Sequence, residues 1–272
     1  MMDQQKIGNL FSLEGKVAII TGGAGRLGIR HAEILKAAGA KVVSFDVADH
    51  SNKLEALGVL QLHVDITKPR SAKANVDSVV GMFGSVDVLI NNAALNPKVN
   101  AGVADLSEDA DWSRYEEFPL EQFKLELEVG LIGAQNCTQA VSRHMIPRNM
   151  GCIVNIGSTS AITVPDHRKY KPGRYKSVAY PVVKAAVVHL AKTWAAYFAM
   201  VAPNIRCNAL SPGAVNFGSI EPEFLAKLGE RNMLRRPARP NDYQGALLFL
   251  CSDASSFMTG QNLIVDGGQT SL

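Results

Sequence analysis

The sequence predicts an α/β protein of one domain, built on a doubly wound parallel sheet. Three observations predict it. Short β-branched runs alternate with helical patterns along the whole chain. The runs lack polar alternation, as strands buried on both faces do. A glycine-rich turn stands where the first run meets the first helical pattern.

Taken in order, "KVAIIT" (16–21) reads as the first strand and "RLGIRHAEILKAAG" as a helix closing at Gly39. "KVVSFD" (41–46) is the second strand and "VLQLHVD" (59–65) the third. "VDVLINN" (86–92), "GCIVNIGS" (151–158), "IRCNALS" (205–211) and "NLIVDGG" (262–268) continue the series. Helices are expected near 69–83, 119–146, 179–201 and 240–252. Such alternation implies right-handed crossovers between parallel strands, which is a Rossmann-type sheet. Ligands of these sheets bind beyond the carboxyl ends of the strands. With no internal repeat or linker, residues 1–272 read as a single dinucleotide-binding domain. Residues 1–14 are an N-terminal extension and 214–239 a lid over the substrate.

Composition excludes several classes. Hydrophobic residues make up 47% and charged residues 19%, enough core and too little charge for a disordered chain. The net charge of +3 is too small to point to nucleic acid or a membrane surface. Cys137, Cys152, Cys207 and Cys251 lack C-x-x-C spacing, so they read as buried small hydrophobes, with no metal site. "MMDQQKIGNLFSLEGK" has no apolar core of signal-peptide length. The apolar stretch around 178–202 carries Lys184, His189 and Lys192 and falls short of a membrane span. The chain therefore reads as cytoplasmic, with a small-molecule partner.

"TGGAGRLG" (21–28) is placed to hold a phosphate. Gly22, Gly25 and Gly28 let the backbone turn tightly and approach a pyrophosphate, while the helix start offers free N–H groups and a positive dipole end. Asp46 ends the second strand about twenty residues later, where a carboxylate accepts hydrogen bonds from ribose hydroxyls and repels a 2′-phosphate. That favours NAD over NADP. Arg26, a cation in the same turn, argues the other way and carries less weight than the strand-end carboxylate.

From Lys16 to Gly268 the sequence resembles the single-domain branch of the short-chain dehydrogenase/reductase family. The resemblance rests on the glycine turn, "NNAA" (91–94), Ser158, the Y-x-x-x-K of Tyr180 and Lys184, "SPG" (211–213) and "TGQNLIVDGG" (259–268), in that order and spacing. It implies a cofactor-binding set of Gly22, Gly25, Arg26, Leu27, Gly28, Asp46, Asp65, Ile66, Asn92, Ala93, Tyr180, Lys184, Pro212, Gly213 and Val215. Within it, Asp65 would meet the adenine amino group and Ile66 would add a backbone contact. Asn91 would brace the central strand, and Val215 would meet the nicotinamide carboxamide through its backbone. Asp65 as a helix cap and Asn91 as a turn residue are the plain alternatives.

Tyr180 and Lys184 lie four residues apart, on one helix face. A free tyrosine has a pKa of about 10, and a nearby cation favours the phenolate. Tyr180 then acts as general base in alcohol oxidation or general acid in carbonyl reduction. Ser158 hydrogen-bonds the substrate oxygen, and the nicotinamide carries the hydride. Pro181 confines Tyr180 to the helix start.

Three positions depart from the family pattern. The turn reads T-G-x-x-G-x-x-G, with Arg26 where the single-domain branch has its second glycine. Gly130 replaces the asparagine usual in the helix before the fifth strand, and Phe217 replaces the threonine after "PGxV". An insertion between Ser158 and Tyr180 carries Arg168, Lys169, Lys171, Arg174 and Lys176, and Arg231, Arg235 and Arg236 follow further on. Either the run is a solvated loop, or it receives an anionic or sugar-like substrate. "NNAALNP", "FPLEQFKLELEVGLIGA" and "CSDASSFMTGQN" are similar to a bacterial subgroup linked to flagellin glycosylation and nonulosonic-acid sugars.

Two other functions stay open. A sugar-nucleotide epimerase or dehydratase would recycle its cofactor, so net NADH formation separates it from a dehydrogenase. A non-catalytic dinucleotide-binding protein fits Gly130 but not an intact Ser158, Tyr180 and Lys184. Surplus apolar surface on the helices near 119–146 and 179–201 predicts self-association, and the family resemblance implies a homotetramer or dimer.

Overall fold

A computed structural model describes residues 4–48, 50–96, 113–170, 172–218 and 222–272. Seven parallel strands form one sheet in the order β3-β2-β1-β4-β5-β6-β7. They are β1 (Val17–Thr21), β2 (Lys41–Asp46), β3 (Leu60–His63), β4 (Val88–Asn91), β5 (Gly151–Ile156), β6 (Ile205–Pro212) and β7 (Asn262–Val265). The order reverses between β1 and β4. Chains that leave β1 and β4 in opposite directions open a crevice at their carboxyl ends, and ligands of such sheets bind there.

Hydrophobicity on both faces of the central strands makes the sheet a middle layer. All five residues of β1 are buried. Val17 and Ile19 face a core shared with α4 (Pro69–Phe83), α6 (Gly133–Arg148) and α7 (Ala179–Val201). Ala18 and Ile20 point the other way, to α2 (Arg26–Ala37) and α9 (Gln244–Cys251). Each fully buried Ile or Leu contributes about 1.5–3 kcal/mol. The four cysteines are buried and unbridged. No helix among the described residues is long and apolar enough to cross a membrane.

Several boundaries differ from the sequence reading: β4 covers only Val88–Asn91, β5 stops at Ile156 and β7 at Val265. β3 stops at His63, short of Asp65, because Asp65 turns the chain: its Oδ1 accepts from Thr67 N (2.9 Å) and Thr67 Oγ1 (2.6 Å). The single helix expected over 119–146 is α5 (Leu120–Leu127), a π-helical turn (Glu128–Ile132) and α6. The turn carries Gly130 and leads into Gly133, where a Cβ would lie 2.4 Å from Val183 Cγ1 and 2.6 Å from Ile66 Cδ1 respectively. Small residues and one widened turn let this rod pass close to its neighbours. The last expected helix is confined to Gln244–Cys251. The sequence reading also omitted α1 (Gln4–Phe11), α3 (Asn52–Ala56) and α8 (Pro222–Glu230), all short and lying within segments read as extension, connection or lid.

Candidate active site

The glycine turn is shaped by two steric demands. Gly22 has φ +63°, and a Cβ on it would approach Ala93 Cα to 2.9 Å. A Cβ on Gly28 would lie 2.3 Å from the Gly22 carbonyl oxygen. The backbone thus folds onto the start of α2, whose first turn has no acidic residue and whose N-cap, Gly25, offers no side-chain cap. Free amides and the dipole's positive end face the groove, an arrangement that takes a pyrophosphate. Arg26 and Leu27 line the same groove, and the Arg26 guanidinium stands over the Phe217 ring, 5.7 Å from its centroid. Two departures from the family pattern therefore meet each other across the opening.

The neighbouring strands fix the rest of this half. Asp46 accepts from Ala24 N through Oδ2 (2.9 Å) and from Ala48 N through Oδ1 (3.0 Å), so its carboxylate is tied to the glycine turn at the groove wall. Asn92 donates from Nδ2 to the carbonyls of Thr21 and Gly22, both at 3.0 Å, and Ala93 N donates to Thr21 Oγ1 at 3.1 Å. Asn91 is buried and bonds Thr138 and Asn155, joining β4 to α6 and β5 as a brace does. Asp65 and Ile66 line the groove, and Asp65 also makes the turn that leads to α4.

Pro212, Gly213 and Val215 close the far wall. Val215 pairs with Ala238, but the bonds run from Asn216 N to Ala238 O (2.8 Å) and from Ala238 N to Ala214 O (2.9 Å). The Val215 N–H and C=O are not used by this pairing. The groove encloses about 1340 Å³, more than the 300–1,000 Å³ or so of a typical small-ligand pocket. It has room for a dinucleotide and a substrate together.

Ser158, Tyr180 and Lys184 all line the groove. β5 ends at Ile156, and Ser158 follows two residues on, its Oγ accepting from Ser160 N at 3.1 Å. Tyr180 is the second residue of α7, as Pro181 requires. Burial raises the phenol's pKa above its usual value, Ser158 lowers it through a hydrogen bond, and Glu126 raises it. This corrects the expectation that a neighbouring ammonium dominates: desolvation of the phenolate is the larger effect here. Lys184 is buried, donates to the Ile156 carbonyl at 2.7 Å and stands 5.8 Å from the Tyr180 ring centroid. Burial lowers its pKa to about 8, and Lys176 adds to the effect.

A support structure absent from the sequence reading lies behind the tyrosine. Glu126 is buried on α5 and accepts from Ser177 Oγ at 2.8 and 2.9 Å. Ser177 Oγ in turn accepts from the amides of Ala179 and Tyr180, at 3.2 and 3.3 Å. Glu126 thereby holds the cap of the helix that carries Tyr180. A glutamate in an otherwise amphipathic stretch gave no signal of burial, since α5 packs on α7 only in three dimensions.

The basic insertion splits. Lys169 and Lys176 line the groove. Arg168 is 85% exposed and bonded to Asp166, and Arg174 is not among the lining residues. Lys171 lies outside the described residues. Arg231 lines the groove and pairs with Asp166 at 3.1 Å, whereas Arg236 is not among the lining residues and pairs with Asp242. The Arg168 and Arg231 guanidiniums bring Asp166 down to about 2. Among the described residues, no cluster of three or more His, Cys, Asp or Glu side chains could hold a metal.

The comparisons agree with this geometry. A family model described as enoyl-(acyl carrier protein) reductase matches residues 23–270. The NAD-dependent glycerol dehydrogenase of Listeria innocua is 33% identical over 96% of each chain. The cis-4-hydroxycyclohexanecarboxylate dehydrogenase of Sinomonas cyclohexanicum is 33% identical over 94% of this chain and 97% of its own. A gluconate 5-dehydrogenase from Burkholderia cenocepacia, solved with NADP and tartrate, superposes with a TM-score of 0.82 at 28% identity, over 98% of this chain and 99% of that one. The chain belongs to the short-chain dehydrogenase/reductase family. It is an oxidoreductase, and its family uses a nicotinamide dinucleotide. The uncapped start of α2, beside Gly22 and Gly25 in the groove, fits the pyrophosphate of that group.

Proposed function

We propose that the protein is an NAD-preferring dehydrogenase that interconverts the alcohol and carbonyl forms of an anionic, hydroxylated substrate. The observation that carries this is the convergence of Ser158, Tyr180 and Lys184 at one end of the groove, beside a wall bearing Lys169, Lys176 and Arg231. The glycine turn, Asp46, Asp65, Ile66, Asn92, Ala93, Pro212, Gly213 and Val215 hold the dinucleotide. When bound, that group supplies the hydride acceptor or donor. Tyr180 gives a proton to the carbonyl oxygen, or takes it from the alcohol. Ser158 hydrogen-bonds the same oxygen. Lys184 contributes a buried ammonium beside them. The described residues of 214–239, including α8, form the lid.

Asp46 supports NAD. At about 4 Å and an effective dielectric near 20, a carboxylate repels each unit of phosphate charge by roughly 4 kcal/mol. Two relatives named for hydroxy acids, and tartrate in the gluconate 5-dehydrogenase, support the acidic substrate class. Acidic sugars, as in the flagellin-glycosylation subgroup, belong to the same class. The exposed side chains of Leu125, Ile132, Val182 and Tyr197 on the α5–α7 face support a homo-oligomer, a dimer or tetramer. The test is a cofactor-reduction screen over hydroxy acids, sugar acids and their uncharged analogues, with NAD and NADP in parallel. Turnover of acids with NAD is expected. Turnover confined to uncharged alcohols, or to NADP, overturns this reading.

A further inference from the structure

The sequence set Lys176 in a basic loop, but the fold places it against the reacting group. Its Nζ stands over the face of the Tyr180 ring, 4.0 Å from the centroid, nearer than the 5.8 Å of Lys184. Its hydrogen-bond partner is a neutral amide, Asn96 Oδ1. Two ammonium groups thus border one phenol. The carboxylate that acts on Lys176, Glu126, is engaged twice by Ser177 and once by Gln122 at 3.1 Å, and burial raises its pKa. The other basic groups at this end are balanced differently: Asp166 takes both Arg168 and Arg231. Burial brings Lys176 down to about 8, and Glu126 offsets only part of that effect. Among the described residues, two lysines thus share one engaged carboxylate beside Tyr180, and a substrate anion would balance the second.

We propose that Lys176 grips the carboxylate of the substrate, and that its position over the Tyr180 ring selects acids whose reacting hydroxyl is one or two carbons from the carboxyl carbon. This rests on the dehydrogenase reading above and adds to it the residue and the spacing. A charge-assisted N–H···O bond spans about 2.7–2.9 Å. The reacting oxygen must meanwhile reach Tyr180 and Ser158, whose side chains neighbour each other in the groove. The two anchors are close together, so the chain joining carboxylate and carbinol must be short. In a polyhydroxylated acid the same constraint decides which hydroxyl is oxidised. Lys169, farther out on the wall and half-buried, is left for a second polar group on larger acids.

The test measures binding in the presence of NAD, independently of turnover. The probes are 2-hydroxybutyrate, 3-hydroxybutyrate and 4-hydroxypentanoate, each beside its primary amide, titrated by calorimetry into the full chain. The wild type is expected to prefer the 2- and 3-hydroxy acids to their amides and to the 4-hydroxy acid. Lys176→Gln is expected to weaken the two preferred acids by roughly 10- to 100-fold, the range of a charged hydrogen bond. It should leave the amides and NAD unchanged, and Lys176→Arg should restore part of the loss. If Lys176→Gln binds the acids as the wild type does, or loses acids and amides alike, the assignment of Lys176 is overturned while the anionic-substrate reading stands. If the wild type binds none of the acids better than its amide, both are overturned.

Discussion

Gly130 stands where the family carries an asparagine, and the structure gives a reason the asparagine cannot simply be put back. A Cβ at this position would sit 2.4 Å from Val183 Cγ1. Val183 is 3% exposed, β-branched and fixed on α7 next to Lys184, so it has little freedom to swing aside. Overpacking of this kind costs about 1–3 kcal/mol. Replacing a helical glycine by alanine returns up to about 1 kcal/mol of backbone entropy. The net expectation for Gly130→Ala is a loss of about 1–2 kcal/mol, or roughly 2–8 °C in Tm for a chain of this size. Gly130→Asn, with a larger side chain, loses more and gains no turnover. The assay is thermal or urea unfolding of Gly130→Ala, Val183→Ala and the double variant. Trimming Val183 opens the space, so the double variant should be more stable than the sum of the single effects by about 1–2 kcal/mol. If Gly130→Ala is neutral or stabilising, or if the cycle is additive, the steric account is wrong.

Three further outcomes are expected. Asp46→Asn keeps one oxygen for the Ala24 amide and removes the charge, so the kcat/KM ratio for NADP over NAD should rise about 100-fold, below the unscreened limit. An unchanged ratio would remove Asp46 from cofactor choice. Phe217→Ala removes the ring under the Arg26 guanidinium and should weaken dinucleotide binding about two- to fivefold, with kcat for saturated enzyme little altered. His31 is buried, its Nε2 has no hydrogen-bond partner among the described residues, and burial lowers its pKa from 6.5 to about 4. The neutral ring is favoured by the fold, so stability is held above pH 6.5 and falls as the pH drops from 6.5 towards 4. The shift corresponds to about 3 kcal/mol at 1.36 kcal/mol per unit. Urea midpoints across that window should decline more steeply for the wild type than for His31→Leu, and parallel slopes would contradict the assignment.

The strands and the glycine turn were legible because local chemistry dictates them. The run Val17–Ile20 has no polar residue, and Gly22 needs a backbone angle other residues avoid. Tyr180 and Lys184 were legible because helical spacing alone sets them side by side. Lys176 was read only as part of a charge run: whether a loop lysine faces water or a phenol depends on the path of the insertion, which spacing does not encode. Glu126 was missed for a related reason. Its burial follows from α5 packing on α7, and its partner Ser177 is distant in sequence. The π-helical turn at Glu128–Ile132 answers to contacts with Val183 and Ile66, again from other elements. Local order was written in neighbouring residues, whereas the electrostatics of the site came from tertiary packing.

The central claim is that the Tyr180 hydroxyl moves the proton in the redox step. It is tested most directly by Tyr180→Phe, a change that removes one oxygen atom and leaves the ring. The measurement is single-turnover formation of reduced cofactor with the best acid from the screen, alongside the dinucleotide Kd of the same variant. The account predicts a rate lower by about 10²–10⁴-fold with Kd within a factor of about three. A Tyr180→Phe enzyme that turns over at the wild-type rate would contradict it.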